Sequence, residues 1–221
     1  MEGEDLALAH VRRLRDPAAV SRAQACRHLA GLAARGDQTR AAIREARAIE
    51  GLLPLLHAAN TQAEAAHALA ALTVDEEARV LVRAAGGCAP LVAALQSKTI
   101  EAQEEAARAL GHLARDEEGR VEIAHLGGIV ALVQLLQHDD RDMQLAAAGA
   151  LNQLARSVEN RVTIVGADGH DAMIEILRDG ETPAPPRLQA EAAGTLANLA
   201  FYGPNKRKIR EGGGLERLIG V

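Results

Sequence analysis

Between Met143 and Ala155 the apolar positions are Leu145, Ala148, Leu151, Leu154 and Ala155, set among polar and small residues. Steps of three and four describe one face of an amphipathic helix, so the pattern predicts a helix over about 143–155. Upstream, Ile129-Val130-Ala131-Leu132-Val133-Gln134-Leu135-Leu136 is apolar on almost every side and predicts a shorter, more deeply buried helix. His138-Asp139-Asp140-Arg141 interrupts the pattern between the two. Before both, Asp116 is an N-cap type followed by Glu117 and Glu118, which suit the free N–H groups and the positive end of a helix dipole. That first short helix ends at Gly127-Gly128, since a left-handed turn is cheap only for glycine. The predicted unit is a short helix, a medium helix and a long helix, each separated by a turn.

The unit recurs. Arg79-Val-Leu-Val82 precedes Gly86-Gly87, Arg120-Val-Glu-Ile123 precedes Gly127-Gly128, and Arg161-Val-Thr-Ile164 precedes Asp168-Gly169, in steps of 41 residues. Ala68-Leu69, Ala109-Leu110 and Ala150-Leu151 keep the same step, and Thr195-Leu196 follows after 45. Asp75-Glu76-Glu77, Asp116-Glu117-Glu118 and Ser157-Val158-Glu159 keep it too. A single unit of this size cannot bury its own apolar faces, so neighbours must stack into a solenoid.

Gly127-Gly128-Ile129-Val130-Ala131-Leu132-Val133-Gln134-Leu135-Leu136, followed by Gln144-Leu-Ala-Ala-Ala-Gly-Ala150-Leu151-Asn-Gln-Leu154-Ala155, resembles the armadillo repeat. Two-helix HEAT units lack the separate capped helix before the glycine pair. The resemblance covers nearly the whole chain. It implies an all-α fold: a right-handed superhelical α-solenoid of about five to six three-helix repeats, truncated at both ends. The units fall at about 5–36, 37–74, 75–115, 116–156, 157–202 and 203–221, within a single domain spanning 1–221. The first has only its second and third helices. The second departs from the pattern, with about three extra residues between Arg44 and Gly51 and about five fewer between Pro54 and Leu69. The fifth carries a longer loop, Arg178 to Arg187. The last stops before any third helix, leaving Leu215, Leu218 and Ile219 without a partner, so further repeats or another chain are expected to cover that end.

Composition agrees with helices and removes several functions. The 221 residues include 47 Ala and 29 Leu against one Phe, one Tyr and no Trp. Ala and Leu are the strongest helix formers. Alanines such as Ala106, Ala109, Ala146, Ala150, Ala192 and Ala193 are expected where stacked third helices approach closely, with Leu filling between them. Net charge is −5 and aromatic residues for base stacking are missing, which opposes nucleic-acid binding. No apolar stretch reaches the ~20 residues of a membrane span. The N-terminus carries no apolar signal segment, and Cys26 and Cys88 lack metal spacing; a cytoplasmic location is expected, with the nucleus open.

Candidate chemistry is sparse. Eight His residues occur without an i, i+3 or i+4 pair, so no metal is expected. There is no G-x-S-x-G, P-loop or H-E-x-x-H, so neither an enzyme nor a cofactor is expected. Gly212-Gly213-Gly214 falls in register with the other turn glycines. The one basic run, Lys206-Arg207-Lys208-Ile209-Arg210, reads as the solvated face of a first helix, where Arg79, Arg120 and Arg161 stand in earlier units. The other reading is a nuclear-targeting or phosphate-contacting patch.

The resemblance directs attention to the third helices, which line the concave face of an armadillo superhelix. Importin-like members would carry Trp and, four residues later, Asn on successive third helices. The matching positions hold Arg27 and Gly31, His67 and Ala71, Arg108 and His112, Gly149 and Gln153, and Gly194 and Asn198. Only Asn198 keeps the pattern, so a Trp-lined grip on Lys stems is excluded. Arg27, His67, Arg108 and His112, continued by Gln153, Arg156 and Asn198, instead suggest a groove for an acidic extended or helical segment of a partner protein. Arg meets carboxylates bidentately and side-chain amides hold extended backbone. Gly149 and Gly194 would lower the groove wall. The alternative is a structural subunit built permanently into a large multiprotein assembly through its convex face and ends. An adaptor segment of a larger enzyme is the third reading.

Overall fold

The computed structural model describes residues 2–178 and 183–213, which hold fifteen α-helices, one short 3-10 helix and no strand. None of the described helices is long and apolar enough to cross a membrane. The chain divides into two compact units, Met1–Leu113 and Ala114–Val221.

The first unit runs α1 (Glu2–Arg13), α2 (Ala19–Ala33), α3 (Asp37–Glu45), α4 (Ala48–Leu52), the 3-10 helix Leu53–His57, α5 (Gln62–Leu72), α6 (Glu76–Ala84), α7 (Cys88–Ala94) and α8 (Ile100–Leu113). The third helices α2, α5 and α8 pack in succession. Their contact is made of fully buried Ala25, Ala65, Ala66, Ala68, Ala106, Ala107 and Ala109, with Leu29, Leu69 and Leu110 between them. Alanine lets the backbones approach, and each buried Leu contributes about 1.5–3 kcal/mol over an exposed one.

The second unit runs α9 (Glu117–His125), α10 (Gly128–Leu135), α11 (Arg141–Leu154), α12 (Val158–Gly166), α13 (Gly169–Ile176), α14 (Pro186–Ala200) and α15 (Gly203–Glu211). Its third helices α11 and α14 pack together through Ala147, Ala148, Ala150, Leu151, Ala192 and Leu196, all buried. Ala146 and Ala193, expected at the close approach, lie one position off it and stay half-buried.

A left-handed residue follows the first helix in every described case: Arg47 (φ 59°), Gly86 (73°), Gly127 (79°), Asp168 (60°) and Gly213 (81°). Position 47 therefore does what Gly86 does, and no residues are inserted between Arg44 and Gly51. The second repeat differs later: α4 runs directly into the 3-10 helix, which lengthens the second helix and places Pro54 at its start, where a missing N–H is harmless. The next residue of the turn is cramped. A Cβ on Gly87 would lie 2.5 Å from Val82 Cγ1 and 2.8 Å from the Val82 carbonyl oxygen.

Two side-chain devices tie each repeat to the end of the preceding third helix, whose last carbonyls have no helical N–H to accept from. Arg40 donates to the Ala33 carbonyl (2.8 Å) and Arg79 to that of Val74 (3.1 Å). Arg120 donates to those of Ala114 and Arg115 (3.0 and 2.9 Å), and Arg161 to that of Ala155 (2.8 Å). These arginines are not the solvated face expected of them: a cation at a helix C-terminus meets both the bare carbonyls and the negative dipole end. Asn160 and Asn205 form the second device. Asn160 Nδ2 donates to the carbonyls of Leu154 (3.2 Å) and Arg120 (3.4 Å), and Asn205 Nδ2 to those of Leu199 (3.3 Å) and Arg161 (3.2 Å).

The N-caps are less uniform than their residue types suggest. Asp75 accepts from the Ala78 N–H. Asp116 and Ser157 hold the same extended backbone without a side-chain cap bond, and Ser157 Oγ donates to Glu159 instead (2.6 Å). Leu215, Leu218 and Ile219 lie outside the described residues.

Candidate protein-binding faces of the third helices

In the first unit, α2, α5 and α8 bring Arg27, His67 and Arg108 to a shared solvent-facing side, each about half exposed. Each already has an acidic partner. Arg27 Nη1 donates to Glu64 Oε1 on α5 (2.7 Å), and His67 Nδ1 donates to Glu105 Oε1 on α8 (3.0 Å). Arg108 pairs with Glu104 one turn back and lies 3.7 Å from Glu105. His112 is turned inward. Its Nδ1 lies 3.1 Å from the Ala70 carbonyl and 3.2 Å from Thr73 Oγ1. A carbonyl only accepts, so Nδ1 carries the proton and the ring pins α8 to the end of α5.

These pairs set the electrostatics. The Glu105 hydrogen bond raises the His67 pKa above its ordinary value, against the opposing effect of burial. Burial works to raise Glu105, yet the His67 hydrogen bond and the Arg108 charge hold it below the usual carboxylate range. Beneath Arg27, burial and the nearby Glu64 carboxylate push the Cys26 thiol up to about 12, so it is an inert packing group.

In the second unit, α11 and α14 build an amide and carboxylate cluster. Asn198 Nδ2 donates to Asn152 Oδ1 (2.9 Å), and Asn152 Nδ2 donates to Glu191 Oε2 (2.8 Å). Gly194 makes room for this: a Cβ there would stand 3.1 Å from Asn152 Nδ2. At Gly149 an added Cβ would meet only Glu191 Cδ, at 3.9 Å, so that stretch of helix is low and open. Gln153 accepts from Arg156 (3.4 Å), and Arg156 itself is exposed.

Within each unit the third helices carry the residues singled out from the sequence, except that His112 serves packing and Arg156 lies just past the end of α11. Glu64, Glu104, Glu105, Asn152 and Glu191 belong to the same faces and were passed over. Glu104 precedes Arg108 by four and Glu64 precedes His67 by three, spacings that put side chains on one helix face. One further grouping, Asp168, His170 and Asp171, brings ligand-type atoms within 4.8 Å of one another at the start of α13. The His170 and Asp171 pairing, at 3.6 Å, accounts for that proximity.

Comparison with known proteins fits this architecture. The family model described as Armadillo/beta-catenin-like repeat matches residues 75–115 and 116–156. No curated protein sequence matches the chain. Among solved structures, an engineered protein superposes at TM-score 0.89 with 33% identity, covering all of this chain and 88% of that one. A designed armadillo repeat protein at 23% identity gives TM-score 0.89 over 97% of this chain and 91% of that one. Another, solved in complex with the peptide (KR)4, gives 0.86 at 25% identity over 97% and 90%. With two repeats matched by the family model and the whole chain superposing on these structures, the chain belongs to the armadillo-repeat family.

Proposed function

We propose that the chain is a non-catalytic protein-interaction module that binds an extended segment of a partner protein on its third-helix faces. The observation that carries this reading is the α11 and α14 surface, where side-chain amides of Asn152 and Asn198 stand beside the low backbone of Gly149. An amide carries two N–H donors and two acceptor lone pairs, so beyond these bonds Asn152 keeps a donor and an acceptor, and Asn198 its oxygen, for an extended peptide backbone. The designed armadillo neighbour solved with a peptide supports use of the fold in this way.

On the third-helix face of the first unit, charge acts as a selector. Arg27 and Arg108 are held by Glu64 and Glu104, and exposed pairs of this kind are worth about 0–1 kcal/mol, so an acidic ligand displaces them at little cost. It also gains little, because it replaces one carboxylate by another. Affinity therefore rests on backbone hydrogen bonds and apolar contact, while Arg27, Arg108 and Arg156 favour an acidic residue over a neutral one. We place the module in the cytoplasm, a reading that the buried thiol of Cys26 supports.

The test is a binding titration with fluorescent octapeptides rich in Glu, in Ser and in Lys. The Glu-rich peptide should bind most tightly, and the Arg108→Glu/Arg156→Glu variant should weaken it about tenfold, or about 1.4 kcal/mol. Loss of all peptide binding in Asn152→Ala/Asn198→Ala would support the amide grip. Equal binding by wild type and both variants would overturn it.

A further inference from the structure

We infer that a second copy of this chain docks head-to-tail, the basic outer face of α15 in one copy seating on the acidic outer face of α9 in the other. The two helices are first helices of their repeats, and their exposed faces carry opposite charges. On α9 the outward residues are Glu117, Glu118, Val121, Glu122, His125 and Leu126, around a shallow depression of about 560 Å³. The one arginine of α9, Arg120, is turned away to the carbonyls of Ala114 and Arg115, so it does not offset the glutamates. Taken at about 100° per residue, Glu117 and Glu122 fall on opposite sides of Val121. The floor between the carboxylates is apolar, with Val121 46% and Leu126 40% exposed.

The complementary surface is in the same sequence. Lys206, Arg207, Lys208 and Arg210 of α15 are all exposed, and Arg207 donates to Glu211 one turn on (2.9 Å). In the turn entering α15, Phe201 is 76% exposed, a bulky apolar group beside a basic helix. An apolar floor with an acidic rim on one face, and an apolar knob with basic neighbours on the other, are the two halves of one contact. Because the halves are different surfaces, the contact is heterologous, and each copy keeps one of each free to extend the chain. This surface is separate from the third-helix faces, so peptide binding and self-association fail or hold independently.

The experiment is light scattering of the full chain over a range of concentrations, at about 0.01 M and about 0.15 M salt, where the Debye length falls from about 30 to about 8 Å. The mean mass should rise with concentration and fall with salt. Glu117→Lys/Glu122→Lys and Lys206→Glu/Lys208→Glu, each with helicity unchanged by circular dichroism, should both remain monomeric. Mixed in equal amounts they should associate again, since each reversed face then meets its opposite. Phe201→Ser should lower the mass at both salt concentrations. A wild type that stays monomeric throughout, variants that associate undiminished, or a mixture that stays monomeric would each overturn the inference.

Discussion

His67 on α5 and Glu105 on α8 face each other with Nδ1 3.0 Å from Oε1, so two successive third helices share a proton-dependent bond at their solvent-facing side. The His67 pKa is raised above 6.5 and that of Glu105 is lowered below 4.5. The His67 contribution to stability is therefore complete below pH 6.5 and is lost as pH rises through its folded pKa. The Glu105 contribution is present above pH 4.5 and is lost as pH falls through its folded pKa. The pair stabilises the unit most between those limits. Proton NMR titration should find the His67 pKa raised above 6.5 in the wild type and lower in Glu105→Gln than in the wild type. An unshifted His67 in the wild type would refute the pairing.

Asn160 and Asn205 are both nearly fully buried, and each donates to a carbonyl at the end of the preceding third helix and to one in the preceding first helix. Alanine at either position removes two hydrogen bonds from a buried site, each worth about 0.5–1.5 kcal/mol. Urea unfolding of Asn160→Ala should show that loss. For Asn205→Ala, amide exchange should quicken in α15 first, because this bond fastens α15 to its neighbours.

Gly127 and Gly31 have equal room and opposite constraints. No atom lies within 4 Å of a Cβ built on either. Gly31 is inside α2, so Gly31→Ala should stabilise by about 0.5–1 kcal/mol through lower chain entropy in the unfolded state. Gly127 sits at φ 79°, so Gly127→Ala should cost about 1–2 kcal/mol through backbone strain alone. Thermal unfolding of the two variants should shift in opposite directions.

Cys26 is fully buried with its thiol pushed up to about 12. Thiolate is the reactive form, so alkylation of Cys26 at pH 8 should proceed only as fast as the surrounding helices open. Mass spectrometry of iodoacetamide-treated protein should show it unmodified in buffer and modified in urea. Rapid labelling in buffer would mean that α2 is not packed as described.

The repeat was legible because its signals are local. Gly86-Gly87 and Gly127-Gly128 report a turn that few other residues tolerate, and Ala109-Leu110 and Ala150-Leu151 report the buried stripe of a long helix. Where a local signal was replaced, legibility failed. Arg47 takes the left-handed turn in place of glycine, which made the second repeat look as if it carried an insertion. Arg79, Arg120 and Arg161 repeat as clearly as the glycines, but a charge at helical spacing reads as solvated until the preceding helix end is seen beside it. The same holds for His112, a polar residue at a groove position whose partner, the Ala70 carbonyl, is 42 residues away.

By itself the sequence determined the kind of element, the period and the order of helices, because turn conformation and apolar spacing act over a few residues. It also determined which residue types lie on the third helices. Tertiary structure alone decided the state of those residues: which cation is held by which carboxylate, which amide faces a bare carbonyl, and which arginine is taken from the surface to cap a helix. Those outcomes depend on distances between side chains about 40 residues apart, set when alanine-lined helices close against one another, and no local pattern encodes them.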